Sequence, residues 1–345
     1  MDLTTSRTRT RTVNRRELLV SATAGALGLA LDPLSRAARL KGSPVALVTA
    51  DLESHVAVVD LATARVLRRI ETAPGPRAIE YIATRNRQLV GTGAVVAHTE
   101  HGVVTVIGAQ SFSVRAELDG FSKPRYACGA KSAQSGAIAY VTDSGAEELV
   151  TIDVLGSGRV LHRTRVPGPA RHVSISPDGR TIWTALGSKA ERIAVLDASD
   201  ARRPRLERTF SSPFLAHDVV FAPRGGHVWV TSGAGHRVAL YRANTREVVR
   251  TIAADRAPQH VAFVGELAFV SSGDDGTVRL HHLNGDLVRV AEVPSGSYNV
   301  TFGAERIVTP SLSRGTVALL DERGQVRALR TVARAAHDAC VVSAI

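Results

Sequence analysis

Between Pro213 and Asp255 the apolar positions gather into four short runs, AHDVVFA, HVWVTSG, RVALYRA and EVVRTIA, separated by Pro-Arg-Gly-Gly, Gly-Ala-Gly-His and Asn-Thr-Arg. Runs this short, rich in Val and Ile and bounded by turn formers, predict four β-strands. The unit recurs along the chain. Its first strand opens at Pro76, Pro124, Ala170, Ala216, Pro258, Ser297 and Ala336, at spacings of 48, 46, 46, 42, 39 and 39 residues. The second and third strands keep the same register, as in AYVTDSGAEELVTIDVLG from Ala139 and AFVSSGDDGTVRLHHLNG from Ala268, while the copy from Leu89 is degenerate.

Seven four-stranded units at this period predict an all-β fold, a seven-bladed β-propeller of antiparallel blades. The first second-type strand, at Ala46, has no first strand ahead of it, and AHDACVVSAI at Ala336 is a first strand with no successor. The last strand is therefore expected to complete blade one and close the ring, leaving no open sheet edge. Pro310, inside the second strand of blade seven, predicts a bulge or local break.

The chain has 345 residues, 44% of them hydrophobic and 22% charged, an ordinary globular composition with ample core. Its net charge of +11 is unevenly placed: residues 1–41 carry +5 and the other 304 carry +6. Residues 1–41 hold a basic stretch, an apolar run from Leu18 to Leu31 and small residues near Ala30 and Ala37, the layout of an export leader. Asn14-Arg15-Arg16-Glu17-Leu18-Leu19 is similar to the twin-arginine signal of bacteria. The expected division is a leader over 1–41 and the propeller over 42–345. The expected location is beyond the cytoplasmic membrane, with no transmembrane span in the mature chain.

The strings AYVTDSG and VWVTSGAGHRVALY, the turn ISPDGRTIW from Ile175 to Trp183, and first strands opening Pro-x-x-Val resemble the YVTN-repeat seven-bladed propellers. The resemblance covers roughly residues 44–345 and implies the fold and export. It implies no single activity, because propellers host many unrelated tasks. Relatives of that group include lactonases, a streptogramin lyase and propeller subunits of oxidoreductases, and no pattern peculiar to any of them is found here. No cofactor motif is read.

In a propeller the first strand of each blade lines the central channel, so one repeat position becomes a ring. The opening position reads Arg77, Arg125, Arg171, His217, Gln259, Tyr298 and His337, and the next reads Ala78, Tyr126, His172, Asp218, His260, Asn299 and Asp338. The position after that is uniformly apolar, Ile79 to Ala339, which pins the register. Three neighbouring arginines suit carboxylate or phosphate groups, which accept paired hydrogen bonds. The expected function is an exported binding or interaction scaffold for an anionic small molecule or a protein partner. Ligand contacts are assigned to Arg77, Arg125, Arg171, His217, Gln259, Tyr298 and His337. The alternatives are an enzyme of lyase or lactonase type, using His172, His217, Asp218, His260 or His337, and a propeller subunit docking an oxidoreductase.

No metal-ligand spacing motif is present, and no metal is assigned; any such site must come from the ring. The adjacent His281 and His282 point to opposite faces of a strand. His55, His98, His101 and His162 are expected in turns or outer strands, solvated. Cys128 and Cys340 share one strand position a whole blade apart, beyond disulfide reach, and read as buried thiols. Nucleic acid is not expected as a partner, with 4% aromatic residues and Arg202-Arg203-Pro204-Arg205 as the densest basic cluster. The chain is expected to be a monomer.

Overall fold

The computed structural model describes residues 44–82, 93–131, 137–155, 158–187 and 192–342, all strand and turn. The leader read over residues 1–41 lies outside the described residues. Twenty-eight strands form seven four-stranded antiparallel sheets, one per predicted blade. Blade one runs outward from the axis as Ala336–Val342, Val45–Ala50, His55–Asp60 and Val66–Glu71, so the C-terminal strand closes the ring as expected. Val45 pairs with Val342 and Leu47 with Cys340 across that seam.

Blades two to seven present the inner strands Ala78–Ile82, Pro124–Gly129, Val173–Ile175, Val219–Phe221, Pro258–Val264 and Thr301–Gly303. Three of these are shorter than the pattern suggests. The residues ahead of Val173 and Val219 still exchange backbone bonds with the second strand, Arg171 N–H to the Ala185 carbonyl at 2.8 Å and Ala185 N–H to the His172 carbonyl at 3.0 Å in blade four, and His217 N–H to the Thr231 carbonyl at 2.8 Å in blade five. In blades four, five and seven the ring positions therefore sit on a short lead-in segment ahead of the inner strand.

The core lies between neighbouring blades. Trp183 of blade four packs with Val219, Phe221, Val228 and Tyr241 of blade five, and the seam is filled by Ala46, Val48 and Val341 of blade one against Val308, Val317 and Leu319 of blade seven. The middle strands are buried on both faces and therefore read as continuous apolar runs, as in Val45–Ala50 and Ile138–Asp143, while most inner strands are half-buried where they line the channel. The outermost strands show at most one buried position each, Ile252 within Val248–Ala253 for example and none within Val326–Thr331, and read as polar. Every blade carries a register shift between its third and fourth strands, between Leu240 and Tyr241 in blade five and between Val58 and Val59 in blade one. A bulge at that place increases twist and turns the exposed outer edge away from further pairing.

Pro310 does not break its strand. Arg306–Ser311 runs straight through, with Pro310 opposite Val317 and no shift. In blade five the corresponding residue, Thr231, donates its N–H to the Asp218 carbonyl at 3.1 Å. Proline lacks that donor, and the matching Asn299 carbonyl instead accepts from the Thr309 hydroxyl at 2.7 Å. His98 and His55 also depart from expectation, since both are buried strand residues. His98 exchanges solvent for two partners, the Pro74 carbonyl at 3.0 Å on Nδ1 and the Thr105 hydroxyl at 2.9 Å on Nε2. The expected opposition of His281, buried, and His282, exposed, holds. Cys128 and Cys340 are free thiols.

Candidate functional site: the plugged channel

The two ring positions form two layers at one end of the channel. In the outer layer Arg77 and His337 share one carboxylate: Asp51 Oδ2 lies 3.3 Å from Arg77 Nη1 and 3.1 Å from His337 Nδ1. These two partners hold the Asp51 carboxyl below its usual range against the opposing effect of burial. Asp51 follows the second-type strand of blade one, and nothing in the repeat of first strands pointed to it. Arg125 reaches Ser144 Oγ through Nε at 3.3 Å. Arg171 folds over Gly187, where a Cβ would stand 2.6 Å from Arg171 Cδ, and its Nε is buried without a hydrogen-bond partner. Neither Arg125 nor Arg171 forms an ion pair among the described residues. Burial, then the neighbouring Arg171 charge, lowers the Arg125 pKa.

Tyr298 leaves the mouth. Its ring covers Gly273, where any Cβ would overlap it, and its hydroxyl donates to Asp274 Oδ1 at 2.7 Å. Gln259 contributes its backbone carbonyl, which accepts from His217 Nδ1 at 3.2 Å and from the Thr231 hydroxyl at 2.9 Å. His217 itself fits because Gly233, at φ +67°, has no Cβ; one would lie 3.1 Å from His217 Cβ.

The second layer closes the channel. His172 of blade four and His260 of blade six meet across blade five, Nε2 to Nε2 at 3.1 Å. Tyr126 of blade three stacks on His172 with ring centroids 3.4 Å apart, and the His217 ring stands 4.4 Å from His172 on its other side. The Arg171 charge is felt at all three imidazoles. Burial is the main cause that depresses them, with mutual repulsion and Arg171 adding to it. His172 and His217 lie well below the ordinary range and His260 falls to about 3, so all three rings are neutral at physiological pH.

Asp218 and Asp338 occupy the same repeat position and do the same work. Each carboxylate accepts the N–H of the following residue and the N–H of the next blade's inner strand: Val219 at 2.8 Å and Val261 at 3.1 Å for Asp218, Ala339 at 2.7 Å and Ile79 at 3.0 Å for Asp338. They clamp blade five to six and blade one to two. Burial pushes Asp218 up to about 7 and Asp338 up to about 8, against the pull of those N–H groups. Asp218 Oδ2 also lies 3.8 Å from His260 Nδ1.

Below this plug the inner strands enclose a cavity of about 570 Å³, floored by the plug residues and walled by Phe221, Phe263 and Phe302. Glu80, Cys128 and Lys131 line the same space. Glu80 is accessible from the channel, and the protein packed around it desolvates its carboxylate and raises it to about 7, with Lys131 opposing; Cys128 rises to about 12 by burial, so its thiol stays protonated. Glu80 escaped the sequence analysis because only the first two positions of each inner strand were read as a ring; two positions further on, the same count would have found it.

The comparisons with known proteins fix the architecture. No family model and no curated protein matches the chain. Among solved structures, a chain of Kuenenia stuttgartiensis hydrazine synthase aligns with TM-score 0.64 at 16% identity, over 79% of this chain and 90% of that one. A functionally unknown protein from Desulfotomaculum acetoxidans aligns with TM-score 0.60 at 12% identity, over 74% of this chain and 89% of that one. Likeness at such identities establishes the fold and leaves the activity to the site.

Proposed function

We propose that this chain is an exported propeller of the YVTN-repeat kind that binds an anionic small molecule at the outer mouth of its plugged channel. The observation that carries the reading is Arg125 beside Arg171: burial and the nearby Arg171 charge disfavour the charged form of Arg125, and neither guanidinium has a carboxylate partner among the described residues. Like charges held together without a counter-charge are stabilised by a bound anion, and a guanidinium presents paired donors to a carboxylate or phosphate. Arg77 differs, because Asp51 already neutralises it. Binding is preferred over catalysis because Asp218, the acid or base an enzyme reading needs, is engaged by two backbone N–H groups. Export rests on the twin-arginine-like segment around Arg15 and Arg16.

The test is a thermal-shift titration with inorganic phosphate and with small mono- and dicarboxylates. An anion at 100 times its Kd stabilises the folded protein by about 2.7 kcal/mol. At least one of these anions is expected to raise the Tm, and Arg125→Ala with Arg171→Ala to abolish the rise. An equal rise in the double variant overturns the assignment.

A further inference from the structure

We propose that His172, His217 and His260 form a three-imidazole site for a late first-row divalent cation such as Zn2+. Each residue offers a ring nitrogen, and no two of these nitrogens are more than 4.8 Å apart. They come from three different blades, so only ring closure brings them together.

Which nitrogens carry protons follows from what faces the other side of each ring. His217 Nδ1 meets the Gln259 carbonyl, which can only accept, so the proton is on Nδ1 and the lone pair on Nε2. His172 Nδ1 is buried and has no hydrogen-bond partner. His260 Nδ1 lies 3.4 Å from the Asn299 side-chain amide and 3.8 Å from Asp218 Oδ2. The Asn299 Oδ1 is buried with no partner, and turning the amide end for end sets it against His260 Nδ1. That orientation gives Oδ1 the His260 Nδ1 proton.

His172 and His260 bring Nε2 to Nε2 at 3.1 Å, and with both rings protonated on Nδ1 two lone pairs face each other there. Two lone pairs at that distance repel unless something positive lies between them. Ring nitrogens bound to one tetrahedral zinc ion stand about 3.3 Å apart, close to the observed separation. Acceptors behind each ligating ring are the usual means of fixing imidazole tautomer and orientation at a metal. Tyr126, stacked on His172, holds that ring in plane. Imidazole donors with no thiolate select zinc, copper, nickel or iron over magnesium and calcium. The Arg171 charge opposes a bare cation, which sets the affinity below that of a closed structural zinc site. The inference stands apart from anion binding and is measured without added anion.

The full chain, stripped with a chelator and desalted, is titrated with Co2+ as a visible-absorbing probe and then with Zn2+ in competition. One cation per chain is expected, with the absorption of a low-symmetry cobalt centre bearing nitrogen ligands and its loss on Zn2+ addition. His172→Ala, His217→Ala and His260→Ala should each weaken binding at least tenfold. His227→Ala, in an exposed position of blade five, should not. No binding by the wild-type protein overturns the proposal, as does binding that survives the three substitutions combined. If the variants fail to fold, X-ray absorption of the wild-type complex decides: three imidazole scatterers support the site, and an all-oxygen shell refutes it.

Discussion

Removing residues 335–345 tests the closure of the ring most directly. Within Ala336–Val342 the side chains of Ala336, Ala339, Cys340, Val341 and Val342 are 0, 3, 3, 8 and 3% exposed. Burying a valine stabilises by about 1.5–3 kcal/mol and each smaller side chain by roughly 1, so the strand contributes about 6–9 kcal/mol of apolar burial. Its loss also removes Asp338, leaving the buried Ile79 N–H without its 3.0 Å acceptor, which costs about 1–3 kcal/mol more. The sum approaches the whole stability of an ordinary domain, about 5–15 kcal/mol. It also bares the inner edge of Val45–Ala50. The truncated chain should therefore show no cooperative transition by near-ultraviolet circular dichroism and should aggregate on warming. A single sharp transition within about 5 °C of the full-length Tm would refute the claim that this strand is needed to close the fold.

Gly303→Ala probes the same seam from blade seven: a Cβ there would stand 2.6 Å from Val341 Cβ, and the variant should lose about 1–3 kcal/mol in urea unfolding. Stability should peak near pH 6.5. Seven histidines, from His55 to His337, have folded pKa values below 6.5, so the unfolded chain takes up more protons and stability falls as the pH drops below 6.5. Glu80, Asp218 and Asp338 are raised to about 7, about 7 and about 8, so their contribution is lost as the pH rises through those values. A Tm still climbing from pH 7 to 9 would contradict this.

The seven blades, their closure by the C-terminal strand and the membership of the axial ring were all legible in the sequence. Strand length, Val-rich runs and turn residues are local, and a repeat converts local pattern into global position. The ring list told which residues share a level, and it could not tell where each side chain goes. Tyr298 was counted in the mouth and instead leans outward, because Gly273 leaves a place for its ring and Asp274 takes its hydroxyl. Asp218 was a candidate for acid-base work and clamps two blades, since the N–H of Val261 from the next blade reaches its carboxylate only once the ring is closed. Pro310 reads as a strand breaker, yet a hydroxyl one residue earlier replaces the missing donor.

The chain by itself thus determined the fold and the levels of the channel, because burial on both blade faces imposes a strict pattern on every repeat. Only the tertiary structure decided what the levels do. His172, His217 and His260 lie 45 and 43 residues apart in sequence, in a pattern no spacing motif describes. Their meeting depends on the short lead-in segments of blades four and five and on side chains crossing the axis, distances set by the radius of a closed seven-bladed ring.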